Sequence, residues 1–124
     1  FVHNTVAYTG THDNATTREW YDELPKYQRQ NMWGYLERAP GDGTEVAPAL
    51  MRLAWSSMAA LTIAPLQDLL NLGSAARMNV PGRADGNWRW RSTAEMLSPP
   101  PFEWLRELTE SSKRAVSPAV MVGA

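Results

Sequence analysis

The sequence predicts an α/β chain, rich in helix and built from strand–helix units, and three observations carry that prediction. The run Thr5-Val6-Ala7-Tyr8, bounded by Gly10, reads as a short buried strand. Thr16 and Glu19 follow at the spacing of a capping box, so a helix starts directly after the strand. A second apolar run, Ala60-Leu61-Thr62-Ile63-Ala64, comes after a long amphipathic stretch and stops at Pro65.

The elements follow in order. Residues 17 to 24 read as a helix that stops before Pro25, and residues 26 to 38 as a second, carrying Tyr27, Trp33 and Leu36 among charged residues. Pro40-Gly41-Asp42-Gly43 is a turn cluster. Val46, Leu50, Leu53, Ala54, Met58 and Leu61 then recur at helical spacing, with Pro48 tolerated in the first turn. The helix and the second strand merge near residue 60. Residues 66 to 72 read as a short helix closed by Gly73, and a long loop with Pro81-Gly82 and Asp85-Gly86-Asn87 runs on to Arg91. A structureless loop of that length in a compact domain is usually functional. Pro99 to Pro101 precede a terminal helix with Phe102, Leu105 and Leu108, and residues 115–124 form a loose, small-residue tail.

Composition excludes several classes. The chain has 124 residues, a net charge of −1, 44% apolar residues and no cysteine. There is no disulfide framework and no thiolate metal site, and the charge balance argues against a nucleic-acid partner. No run approaches the roughly 18 apolar residues of a membrane helix. His12 and Asp13 lack a third ligand at useful spacing, so neither metal nor cofactor is expected. A full barrel of eight strand–helix units takes about 250 residues. A chain that begins at Phe1, almost inside its first strand, is therefore expected to be the C-terminal part of something longer.

The strand end carries the chemistry. His12-Asp13-Asn14 puts an imidazole, a carboxylate and an amide at the C-terminal rim of the first strand, where parallel barrels place their active sites. From the residues alone, Asp13 fits either a functional or a structural carboxylate, and His12 fits equally a buried neutral histidine bonded to backbone. Adjacent side chains of an extended segment point to opposite faces. His12 and Asp13 can cooperate only if the backbone turns at the rim, which Gly10 and Asn14 would permit.

Gly10-Thr11-His12-Asp13-Asn14 with Thr16-Thr17-Arg18 and Trp20-Tyr21 resembles the 4-α-glucanotransferases of glycoside hydrolase family 77. Two further blocks are similar to that family: Pro65-Leu66-Gln67-Asp68-Leu69-Leu70 through Ala76-Arg77-Met78-Asn79 to Pro81-Gly82, and Gly86-Asn87-Trp88-Arg89-Trp90-Arg91. The resemblance implies that residues 1–114 are the C-terminal portion of a (β/α)8 barrel, its last two strands with their helices. It also implies a retaining enzyme that transfers α-1,4-glucan segments between malto-oligosaccharides or starch- and glycogen-derived glucans, in the cytoplasm or, alternatively, a plastid. In that family a nucleophilic Asp and an acid/base Glu lie on earlier strands. By resemblance Asp13 is the third carboxylate, which stabilises the transition state, while His12 and Asn79 contact sugar and Asp68 matches a strand-end position.

The chain departs from the family pattern at Ala15, where a second Asp is usual, at Glu19, which replaces a small residue, and at Asn71, which replaces a common Gly. Glu37, Glu45, Glu95, Glu103 and Glu107 lack the strand-end context of a nucleophile or acid/base, so the chain alone is expected to be inactive. Three structural expectations complete the reading. Asp68 caps the short helix behind it, Trp20, Trp33 and Trp55 pack in the core, and Trp88 and Trp90 pack the loop down in preference to forming a platform for sugar rings. The competing class is a non-enzymatic, α-rich module that binds carbohydrate or a protein partner through its six Trp.

Overall fold

A computed structural model describes residues 4–115. The order of elements is β1 (Val6–Tyr8), α1 (Thr17–Glu23), α2 (Lys26–Tyr35), α3 (Val46–Trp55), β2 (Leu61–Ile63), α4 (Leu66–Leu69) and α5 (Pro99–Ser111), with short 3-10 turns at Ser74–Ala76 and Glu95–Leu97. The two strands pair in parallel, Val6 opposite Leu61 and Tyr8 opposite Ile63. Three helices lie between them in the chain, as a parallel connection requires. Most of the expected tail, residues 116–124, lies outside the described residues.

The capping box forms by half. Thr16 accepts the Glu19 amide through its side chain, while the Glu19 carboxylate turns away to Arg77. Helix α3 is the centre of the packing and buries a wider, rotated face than its heptad-like stripe predicts. Val46 and Ala49 join Tyr21 and Trp33 in one cluster, while Met51, Ala54 and Trp55 join Ala7, Ala59 and Leu108 in another. Serving two neighbours, α3 leaves Leu53 at the surface, and it ends at Trp55, so Met58 is exposed beyond it. Arg114 closes that end by donating to the Trp55, Ser57 and Ala59 carbonyls at 2.8, 2.7 and 2.9 Å, a cation where the helix dipole is negative.

Three further expectations are corrected. Pro99–Pro101 are the first turn of α5, not its lead-in, because first-turn amides have no intrahelical partner to lose. The residue that closes α4 is Asn71 at φ 54°, with its amide bonded to Asp68 and that of Leu72 to Gln67; Gly73 lies beyond this Schellman turn. Asn or Gly is the residue that tolerates this geometry, which accounts for an Asn in the place of a Gly. Its side chain also accepts the Ala47 amide and donates to the Gly43 carbonyl, tying α4 to the start of α3. Trp33 and Trp55 are buried, but Trp20 is 41% exposed and lines a surface cleft with Thr9, Asn14 and Leu50.

One face of the sheet lies under the helices through Ala7. The other presents Val6, Tyr8, Leu61 and Ile63, each 40–55% exposed, as a contiguous apolar strip, since alternate residues share a face.

Candidate active site

The rim beyond β1 is a tight turn over residues 11–14. The Asn14 amide donates to the Thr11 carbonyl, and the Asn14 side-chain oxygen accepts both the Thr11 amide and hydroxyl at 3.0 and 2.9 Å. Gly10 has no left-handed φ, so Asn14 makes the turn rather than the glycine. This turn puts His12 and Asp13 on the same side: His12 Nε2 lies 3.4 Å from Asp13 Oδ2, both side chains about half exposed.

The long loop closes onto the turn. Asn79 Nδ2 donates to Asp13 Oδ1 at 2.7 Å, and the Asn79 amide donates to the His12 carbonyl at 3.1 Å. All three site residues anticipated from the sequence therefore meet, across 66 residues of chain. Arg77 joins them: Nη2 donates to the Asp13 carbonyl at 2.9 Å, Nε to the Asn79 carbonyl at 3.0 Å, and Nη1 lies 3.6 Å from Glu19 Oε2. No local signal marks Arg77 for this task; its only hint is a place two residues before Asn79. Trp88, expected from the sequence to pack the loop down, sits with its ring 5.1 Å from that of His12. It is 57% exposed, so it stands on the rim and does not pack the loop down as expected; Trp90 is half-buried.

Asp68 is buried and structural, but it caps α1 and not its own helix. Its carboxylate accepts the Thr17 amide at 2.9 Å and the Thr9 and Thr17 hydroxyls at 2.7 and 2.8 Å, which locks both ends of the rim to the entrance of α4. A cleft of about 110 Å³ opens between the turn and α4, lined in part by His12, Ala15, Gln67 and Arg77. Ala15 lines this space.

The arrangement offers hydroxyl-bearing ligands a carboxylate acceptor, an imidazole and an amide. Of the other rim carboxylates, Asp68 is saturated with donors, and Glu19 pairs with Arg77 through Oε2 while its Oε1 is buried without a partner, so Asp13 is the one of the three that is exposed to a ligand. Among the described residues no three acidic, histidine or cysteine side chains gather as a metal site would need.

The pattern of glycoside hydrolase family 77, described as 4-alpha-glucanotransferase, matches residues 1–96. The chain belongs to the 4-alpha-glucanotransferase family. It is 48% identical over 102 residues to a 4-alpha-glucanotransferase of Synechocystis sp., an alignment covering 82% of this chain and 19% of that relative. A chloroplastic/amyloplastic 4-alpha-glucanotransferase of Solanum tuberosum is 47% identical over 88 residues, covering 71% of this chain and 15% of its own length. Amylomaltase from Streptococcus agalactiae, solved in complex with acarbose, superposes with a TM-score of 0.86 at 32% identity, over 94% of this chain and 23% of that one. The chain thus spans about a fifth of the length of the 4-alpha-glucanotransferases it matches. Among the described residues no helix is long and apolar enough to cross a membrane.

Proposed function

We propose that this chain is the C-terminal portion of the barrel of a retaining 4-alpha-glucanotransferase, which moves α-1,4-glucan segments between malto-oligosaccharides. The observation that carries the reading is the convergence of His12 and Asn79 on the Asp13 carboxylate at the C-terminal end of β1. Asp13 is the transition-state-stabilising carboxylate, and His12 and Asn79 hold sugar hydroxyls. The apolar strip of Val6, Tyr8, Leu61 and Ile63 supports the barrel assignment, since inward-facing strand residues of a barrel form its packed core. The partner covering that strip is the remainder of the same barrel.

Two further carboxylates are needed, about 5 to 5.5 Å apart. A nucleophile attacks the anomeric carbon, and an acid protonates the departing sugar oxygen. The acceptor hydroxyl then displaces the enzyme carboxylate and returns its proton to that base. Both groups lie outside this chain, so the 124-residue chain alone transfers nothing. Asp13 acts by accepting hydroxyls whose bonds tighten as the ring flattens toward an oxocarbenium-like state, which is differential binding. The compartment follows the source, bacterial cytoplasm or plastid.

Asp13→Asn in the protein as its source produces it tests the reading, with glucose release from maltotriose as the assay. The expected outcome is a loss of about 10² or more in kcat with little change in ground-state sugar binding. An unchanged kcat, or an effect confined to binding, would move the assignment to a carbohydrate-binding module.

A further inference from the structure

We propose that Trp88 is an aromatic platform on which one glucosyl ring of the substrate lies, beside the ring held by Asp13. The inference rests on the glucan-transfer reading and adds a residue that determines how strongly the chain's rim holds sugar.

Trp88 takes φ 61°, left-handed backbone that is an outlier for a bulky side chain. Strain of this kind persists only where the surroundings over-determine it, and it gathers at functional sites. Here the surroundings are visible. The Trp88 amide donates to the Met78 carbonyl at 2.7 Å, and the Val80 amide to the Asn87 side-chain oxygen at 2.9 Å. The loop tip turns through Gly82 at φ 83°, with the Arg83 amide bonded to the Val80 carbonyl and the Asn87 side chain to Arg83.

Those bonds tie the Trp88 backbone to the segment that reaches the carboxylate. Met78, which receives the Trp88 amide, is followed directly by Asn79, which donates to Asp13 and to the His12 carbonyl. The Trp88 backbone is therefore coupled, through Met78 and Asn79, to the groups that contact Asp13, and its ring meets His12. Its tilted contact with His12, at 38° between the planes, leaves most of the indole open, and the residue is 57% exposed.

An exposed, strained and well-anchored indole gains little from packing in the folded chain. A pyranose supplies what it lacks. The ring faces of the sugar are C–H groups, and its hydroxyls lie at the edge. The negative face of an indole attracts the C–H face, while carboxylate, imidazole and amide at the side accept and donate to the hydroxyls. His12 and Asn79 are both within reach of such a sugar because each already contacts Asp13.

The test compares wild type with Trp88→Gly and Trp88→Tyr in the protein as its source produces it. Glycine relaxes the left-handed backbone, so folding survives removal of the ring, and tyrosine restores an aromatic face. The readouts are kcat and KM for maltotriose and the change in tryptophan fluorescence when maltotriose binds. The platform predicts a KM raised about five- to ten-fold in Trp88→Gly with kcat within two-fold, and recovery in Trp88→Tyr. It also predicts that most of the fluorescence change disappears in both variants. A KM within two-fold of wild type together with an unaltered fluorescence change overturns the platform and leaves the glucan-transfer reading standing. Wild type that binds maltotriose with a Trp88-dependent signal yet releases no glucose supports the platform and overturns the transferase. Wild type that binds no maltotriose overturns both.

Discussion

Replacing Arg77 with Lys keeps the charge and removes the fork, because an ammonium is a point donor that cannot serve three directions. The guanidinium now reaches the Asp13 carbonyl at 2.9 Å, the Asn79 carbonyl at 3.0 Å and Glu19 at 3.6 Å. Hydrogen bonds to charged donors are worth roughly 1.5–3 kcal/mol each when buried. Water can replace part of the loss at the exposed Asp13 end, so each carbonyl bond is discounted to about 1 kcal/mol. The ion pair adds about 1 kcal/mol or less, its side chains being 22% and 12% exposed. The total at risk is about 2–3 kcal/mol, shared between folding and the placement of the two site residues. On the proposed transferase reading, displacing Asp13 by about 1 Å costs up to 10²-fold, so kcat should fall by about 10- to 100-fold with a smaller change in KM. Glucose release from maltotriose by the protein as its source produces it, paired with thermal unfolding, measures both parts. Glu19→Gln is the companion variant: it leaves both carbonyl bonds intact and should cost much less than Arg77→Lys. A kcat within two-fold of wild type for Arg77→Lys would refute the clamp. Equal losses in the two variants would mean that charge, not the fork, positions the rim.

Two further outcomes follow from the same geometry. Asp68→Asn replaces a carboxylate that accepts the Thr17 amide and two hydroxyls, so thermal unfolding should show a loss of about 1–3 kcal/mol, and a collapse of kcat at unchanged stability would contradict its structural role. Glu37 and Lys113 hold left-handed φ values of 55° and 60° at the ends of α2 and α5, so Glu37→Gly and Lys113→Gly should each stabilise by about 1 kcal/mol, with a lowered melting temperature the adverse result.

Local chemistry was readable from the chain. Thr16 caps α1 because a hydroxyl at that place meets a free amide three residues on, and the strands end at Tyr8 and Ile63, two residues before Gly10 and Pro65. The three motif blocks carried the family, and the rim triplet raised Asp13 as a candidate. Of two features that differ from the expectation, one was decided by partners distant in sequence and one by a local turn. The face of α3 depended on two packing neighbours at once, and Asn71 took the left-handed residue that Gly73 was expected to supply.

The candidate site divides the same way. His12, Asp13 and Asn79 were legible as residue types at a strand end and in a long loop, but the sequence held no statement that they touch. Their meeting depends on the Asn14 turn and on bonds spanning more than 60 residues, made through Arg77 and Asn79. Trp88 shows the same limit, since an indole at the surface and one in the core are spelled alike. Spacing along a chain reports which neighbours a side chain has within a turn or two of helix or strand. Which groups complete a site across the fold is decided by tertiary packing, because only there are buried amides and carboxylates forced to find partners.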